Sequence, residues 1–213
     1  MKSINLIFIL LVSLAASAKP DPAAKKILAK SESIYKSYKS LEVEFQIENK
    51  AAESKSTYEK GLFQSKGNAF KIISDKQEIF NDGSTQWTFL KSQKEIQINN
   101  SSQDKGLFNP LSLLDMYKSS EYDYRLDEDL NEKGISYHQV DFKPMDRNQD
   151  IFKIKIAFDK KKSTIHKVFI YHKNGDKVTL HFKKSLSNKN FAVDNFTLNT
   201  KLYPNIHIED LRE

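Results

Sequence analysis

Apolar and polar residues alternate along most of this chain, which is the pattern of β-strands with one buried face. The alternation is clearest at residues 43–47 and 152–158. Short stretches of turn residues separate the successive runs, and Asn174-Gly175 is the strongest hairpin signal among them. The pattern therefore predicts an antiparallel meander of about ten strands with one wet face.

The dipeptide Asp82-Gly83 marks a second predicted hairpin, because Gly adopts positive φ without strain and Asp tolerates it. After this turn, Trp87 and Phe89 alternate with polar residues and so lie on the same side of a strand. Trp87 is the only Trp of the chain. An apolar face of this kind must be covered by the core, by a ligand or by a partner.

The last third of the chain continues the meander. A two-residue turn at Asn174-Gly175 would place Phe169 opposite Leu180. Residues 196–198 are predicted to form a further strand, and residues 206–208 a last short one.

Two segments follow the helical period instead. Asp21 and Pro22 are a typical N-cap and first residue of a helix, whose apolar stripe favours packing on a sheet over lying on a membrane surface. A short second helix begins at Pro110, with Leu111 and Leu114 along one side. It is either a plug at one end of a barrel or a lid over its mouth.

Strands joined by tight turns, with only two helices to cover them, predict a mainly β fold: a curled antiparallel sheet, or unclosed barrel, that covers a helical lid. A large curled sheet lined by aromatic residues is a natural site for an apolar ligand. The expected lining of this cavity is Phe45, Ile47, Phe70, Ile72, Trp87, Phe89, Ile96, Ile98, Phe152, Ile154, Ile156, Leu180 and Phe182.

The N-terminus has the features of a secretory signal peptide: a basic start, a short apolar run and an Ala-Ser-Ala site for cleavage after Ala18. The chain has no Cys, which excludes disulfides, lipid attachment to Cys and thiol catalysis. Export without disulfides fits a bacterial periplasm. Residues 19–213 would then form one domain.

The net charge is +6, but Lys is spread along every segment and mixed with Asp and Glu, so a nucleic-acid partner is not expected. Motifs for zinc proteases, serine hydrolases, phosphate loops and dinucleotide binding are absent. His166 and His181 share a predicted strand face without a carboxylate or Cys to complete a metal site. We therefore expect no enzymatic activity, no metal and no cofactor.

Three motifs, in order, resemble the LolA family of periplasmic outer-membrane lipoprotein carriers. Residues 62–70 are similar to an L-(aromatic)-x-x-R-P-x-x-F motif, and residues 82–87 match DG-x-x-x-W. Residues 196–212 match F-x-F-x-P-x-x-V-x-D-x-R. The resemblance extends over nearly the whole chain after residue 18.

The resemblance implies a monomeric carrier that takes the acyl chains of lipoproteins from an inner-membrane lipoprotein-releasing ABC transporter. It would deliver them to an outer-membrane acceptor lipoprotein or to the membrane. In the family, an Arg on the sheet holds the lid. Lys66 stands at the matching position here, and Gly67 replaces the following Pro, so the lid would comprise Leu111, Leu114 and Lys66.

A second hypothesis is a periplasmic sensor on the same fold that binds lipid or lipoprotein and regulates a signalling partner. Such a sensor would usually carry a second domain, for which the 195 residues left after removal of 18 from 213 give little room.

Overall fold

The computed structural model describes residues 21–101 and 108–212, apart from the side chain of Val193. The predicted signal peptide, residues 1–18, lies outside the described residues. Twelve strands in the described part form a single sheet that does not close into a barrel, which confirms the predicted fold class.

The strands follow one another in a meander whose two halves meet at the pairing of β1 with β11. The order across the sheet is β12-β6-β5-β4-β3-β2-β1-β11-β10-β9-β8-β7. All neighbours are antiparallel except β12 and β6, which are parallel. The strands are β1 Ser40–Lys50, β2 Thr57–Lys66, β3 Ala69–Ser74, β4 Gln77–Asn81, β5 Thr85–Leu90, β6 Glu95–Asn100, β7 Tyr122–Glu132, β8 Ile135–Pro144, β9 Ile151–Asp159, β10 Ile165–His172, β11 Lys177–Ser187 and β12 His207–Asp210.

Both predicted helices are present. Helix α1 spans Pro22–Lys36, and helix α2 spans Pro110–Asp115 and continues into a 3₁₀ turn at Met116–Lys118. The two helices contact each other and pack against one face of the sheet, which we call the inner face. The opposite face is the outer face. Within residues 21–101 and 108–212, no helix has the length and hydrophobicity needed to cross a membrane.

Helix α1 is fixed to the sheet at both ends. One oxygen of Asp21 caps the helix by accepting from the Ala23 amide at 2.8 Å, and the other accepts from the Leu126 amide of β7 at 2.9 Å. At the far end, the Tyr35 hydroxyl accepts from the Ile165 amide of β10 at 2.9 Å. The Asn or Asp that normally caps a helix thus also anchors it here.

The outer face of β3–β6 is covered by the chain that follows β11. Phe191, Phe196 and Leu198 are buried there. The prediction of a strand at residues 196–198 is wrong: residues 193–196 form a 3₁₀ turn, in which the Asn195 side chain donates to Gln64 at 3.0 Å. Asp and Asn favour such turns because their side chains compete for backbone and neighbouring partners.

The predicted register of the last hairpin is also wrong, by one residue. Phe169 pairs with Thr179, and Val168 pairs with Leu180. The His172 amide donates to the Asp176 carbonyl, and Gly175 has φ +88°, so the loop has three residues with Gly in the left-handed position. This is a type I turn followed by a glycine bulge.

Candidate ligand-binding site

The inner face carries one continuous apolar cluster beneath the two helices. Eight of the thirteen predicted lining residues belong to it or pack against it: Phe45, Ile47, Phe70, Ile72, Ile154, Ile156, Leu180 and Phe182. Several central members, including Val43, Phe63 and Phe142, are fully buried. The helices and the sheet are thus closely packed, and a ligand entering between them must displace one of these elements.

Four predicted lining residues lie on the other side of the sheet. Trp87, Phe89, Ile96 and Ile98 pack on the outer face with Phe80, Leu198 and Tyr203. The reason is the register of β4: Ile79 pairs with Ile72 on the inner face, so its neighbour Phe80 points outward, and Phe80 is the residue opposite Trp87. Their placement on the inner face is therefore wrong.

Phe152 is also misplaced by the strict alternation. Tyr171 of β10 pairs with Lys153, and the next residue, His172, pairs with Ile151, which leaves Phe152 without a partner in a β-bulge. The bulge turns Ile151 towards the inner cluster and leaves Phe152 47% exposed beside Tyr171 on the outer face. Bulges commonly redirect a side chain in this way.

The predicted lid residues contact the inner cluster through α2. Leu114 is fully buried, whereas Leu111 is half-buried. Asn109 caps the helix, with its side-chain oxygen accepting from the Leu111 amide at 3.3 Å. Immediately before the cap, the ring of Phe108 stacks on Phe45 with centroids 4.5 Å apart. The segment from 108 to 114 therefore covers the β1 part of the inner face.

Space for the Phe45 ring comes from Gly61, its partner on β2. A Cβ atom at Gly61 would lie 2.2 Å from the ring of Phe45 and 2.7 Å from the carbonyl oxygen of Ile73. Only a residue without a side chain leaves room for the aromatic stack beneath the lid.

Three donors converge on one buried carboxylate at the junction of the helices. Glu32 of α1 accepts hydrogen bonds from the hydroxyl of Tyr117 and, at 2.9 Å, from the ammonium of Lys118. Lys36, one turn further along α1, lies 2.6 Å from the same carboxylate. Tyr117 and Lys118 belong to the 3₁₀ turn after α2, so Glu32 joins the lid segment to α1. We call this group the Glu32 latch.

The latch changes the acidity of its members. The hydrogen bonds from Lys36, Tyr117 and Lys118 lower the pKa of Glu32 to about 2. Burial, together with the hydrogen bond to Glu32, raises the pKa of Tyr117 to about 12. Its ion pairs with Asp115 and Glu32 raise the pKa of Lys118. The charged carboxylate is thus the form that holds the lid. Sequence reasoning missed Glu32, because a Glu among Lys residues on a helix looks like a solvated surface residue.

Lys66, the residue expected to replace the Arg of the family, is exposed at the end of β2. Its side chain forms no hydrogen bond or ion pair within the part of the chain that the structure describes, and its role in holding the lid stays a prediction. The next residue, Gly67, has φ +57° in the turn to β3. Proline could not adopt this angle, which explains its absence here.

Two clefts open beside the helices. The larger, of about 690 Å³, lies between the C-terminal end of α1 and the ends of β10 and β11, with Leu41, Ile165 and Phe182 in its wall. The smaller, of about 200 Å³, is bordered by Leu111 and by Gly67. The larger cleft is within the size range of small-molecule sites. Both clefts share three residues that separate them: Tyr35, Tyr38 and Leu41.

No group of His, Cys, Asp and Glu suited to a metal ion is found among the described residues. His166 and His181 do lie on one strand face, but each faces its own carboxylate. His166 is 3.2 Å from Glu132, and His181 is 3.4 Å from Glu48.

A family model described as "Outer membrane lipoprotein carrier protein LolA" matches residues 14–174, more than half of the chain. No curated protein is similar enough in sequence to be matched.

Solved structures share the fold. An uncharacterized conserved protein from Thermus thermophilus has a TM-score of 0.60 and 9% identity, and the match covers 90% of this chain and 99% of that one. A LolA superfamily protein from Nitrosomonas europaea has a TM-score of 0.43 and 16% identity, covering 83% and 98%. A putative outer membrane lipoprotein-sorting protein domain from Vibrio parahaemolyticus has a TM-score of 0.46 and 14% identity, covering 84% and 99%.

Proposed function

Because this chain belongs to the LolA family of outer membrane lipoprotein carrier proteins, we propose that it is a periplasmic carrier that binds the acyl chains of lipoproteins. The chains would lie between the inner face of the sheet and the helices. The observation that carries the proposal is the construction of the lid. An apolar layer, including Phe45 and Leu114, is covered by a segment whose polar attachment is the Glu32 latch.

The expected path of the ligand starts at the larger cleft. Leu41 and Phe182 border this cleft and are also members of the inner cluster, so an acyl chain that enters there meets a continuous apolar surface. Separation of the lid segment from Phe45 would then extend the cavity under α2. Apolar surface that is covered by lid in the empty protein and by acyl chain in the loaded one keeps the two states close in free energy.

No covalent step is required of such a carrier. We propose that it receives lipoproteins from an inner-membrane lipoprotein-releasing ABC transporter and passes them to an outer-membrane acceptor. The difference in affinity between donor, carrier and acceptor would set the direction of transfer.

The test uses a fluorescent reporter in the lid. In a Trp87→Phe background, Phe108→Trp places the only Trp over Phe45. A synthetic triacylated cysteinyl peptide is expected to shift its emission in a saturable way, while the same peptide without acyl chains leaves it unchanged. An unchanged emission at saturating acylated peptide would contradict the proposal.

A matched pair of variants tests the lid contact. Leu111→Asp places a charge beside the acyl chain and is expected to weaken binding at least tenfold. Leu202→Asp is the control, since Leu202 is 73% exposed on the far side of the sheet. Circular dichroism and urea unfolding establish that both variants fold. Equal affinities would show that α2 is a structural plug.

A further inference from the structure

The outer face of the sheet has two unlike halves. Over β3–β6 it is covered by the C-terminal segment, whereas over β9–β11 no other described element lies on it. There the aromatic residues are covered by lysine side chains instead: the ammonium of Lys177 lies 4.7 Å from the ring centroid of Phe169.

A row of cross-strand neighbours runs over four strands on this half. Lys50 of β1 pairs with Lys177 of β11, Lys177 pairs with Tyr171 of β10, and Tyr171 pairs with Lys153 of β9. The ammonium groups of Lys153 and Lys177 lie 4.5 and 5.3 Å from the ring centroid of Tyr171. We call Lys50, Lys153, Tyr171 and Lys177 the basic row.

The lysines of the basic row are not neutralised by the described residues. None of the three forms an ion pair within residues 21–101 and 108–212. The carboxylates in the adjoining rows have their own partners: Glu48 accepts from Ser56 at 2.8 Å, and Asp141 pairs with Lys155 at 3.4 Å. Like charges placed opposite each other across strands cost stability, so this arrangement is unfavourable unless an anion offsets it.

Burial lowers the pKa of Lys177, and the neighbouring Lys50, Lys167 and Lys153 lower it further. An anion above the row would relieve this repulsion. An apolar group stands beside the charges as well, because the bulge in β9 leaves Phe152 exposed with its ring centroid 6.2 Å from that of Tyr171.

We propose that the basic row and Phe152 form a docking surface for a membrane that carries anionic phospholipids. The lysines would lie at the level of the phosphates, and the rings of Phe152 and Tyr171 at the boundary with the acyl chains. The inference is independent of the proposed function, because the row is on the opposite side of the sheet from the inner cluster. It supplies what a carrier between membranes needs, a surface that binds the membrane reversibly.

The first experiment is sedimentation with vesicles at low ionic strength. The wild-type chain is expected to bind vesicles of phosphatidylcholine and phosphatidylglycerol in equal parts, and to bind phosphatidylcholine alone far more weakly. Physiological salt should weaken the binding. Binding that does not depend on the anionic lipid, or no binding at all, overturns the proposal and leaves an acidic protein as the partner to seek.

Two triple variants with the same loss of charge locate the surface. Each lysine near an anionic surface contributes about fivefold in partitioning, so removal of all three should cost about a hundredfold. The test variant is Lys50→Gln, Lys153→Gln and Lys177→Gln. The control changes three exposed lysines that form no ion pair with a described residue: Lys25→Gln, Lys161→Gln and Lys201→Gln. Equal losses in the two triples would mean that net charge, not this surface, governs binding.

A positional readout complements the mutations. With Trp87→Phe as background, Phe152→Trp should be quenched by vesicles with brominated acyl chains, whereas Leu202→Trp should not. Quenching of both or of neither contradicts the placement. Acylated-peptide binding without vesicles separates the two proposals: the test triple is expected to retain it, and its loss in the wild type alone would overturn the carrier but leave the docking surface standing.

Discussion

The hydroxyl of Tyr117 donates a hydrogen bond to the carboxylate of Glu32, so the lid segment is fastened to the first helix and not to the sheet. Helix α1 is itself bonded to the sheet at Asp21 and Tyr35. The lid can therefore separate from the inner face by breaking one polar group, while α1 stays in place.

Glu32→Gln is expected to loosen the lid. The amide keeps one acceptor for Tyr117 but loses the charge that attracts Lys118, which should cost about 1–2 kcal/mol. Hydrogen exchange of residues 110–118 should accelerate. Lys36→Gln is the control, because Lys36 lies on the same helix as Glu32 and its loss leaves the link between the helices intact. Similar acceleration in both variants would show that the latch acts only within α1.

Acid should open the lid through the same group. The pKa of Glu32 falls from 4.5 to about 2 on folding. The carboxylate therefore stabilises the closed state fully above pH 4.5, and this contribution is lost as the pH falls towards 2. The difference in unfolding free energy between the wild type and Glu32→Gln should shrink over that interval. A difference that stays constant from neutral pH to pH 2 contradicts the role of the charge.

Trp87 should report on the C-terminal segment and not on the ligand. Its cluster includes Tyr203, whose ring lies 4.9 Å from that of Phe89. Tyr203→Ala is expected to shift Trp87 emission to the red and to increase quenching by iodide, whereas the exposed control Leu202→Ala leaves both unchanged. Saturating acylated peptide should leave wild-type Trp87 emission unchanged. A ligand-induced shift would show that the two faces are coupled.

Gly61→Ala should destabilise the fold by about 1–3 kcal/mol, because the added methyl overlaps the ring of Phe45 and the Ile73 carbonyl. Urea unfolding measures the loss. Adding Phe45→Leu should recover part of it, since the smaller side chain relieves one overlap and leaves the other. If the double variant loses the sum of both single effects, the two residues do not interact as the structure has them.

Lys66 tests whether the latch of the family persists in altered form. Arg offers a planar fork of donors where Lys has a compact ammonium, so Lys66→Arg is expected to slow exchange of residues 110–117 and to weaken acylated-peptide binding. Lys66→Leu should do the reverse. Equal exchange and equal affinity in all three proteins would make Lys66 a solvated turn residue.

Local signals were enough for the elements themselves. Asp21 and Pro22 determine where α1 begins, and the period of two with short turns determines a meander of strands, because both depend on neighbouring residues only. The same holds for the second helix at Pro110. The fold class followed from these elements, since a long antiparallel sheet with two helices has few ways to cover its apolar face.

The side of the sheet on which a residue lies was decided by the tertiary structure. A single residue added or removed in a turn or bulge reverses the face of everything beyond it. One such residue at the Asn174-Gly175 loop, and another at Phe152, changed the predicted lining. Trp87 faces a segment more than a hundred residues later in the chain, and Glu32 meets Tyr117 across 85 positions. Contacts of this separation depend on how the whole sheet curls and on what then covers it, which no local pattern of residues encodes.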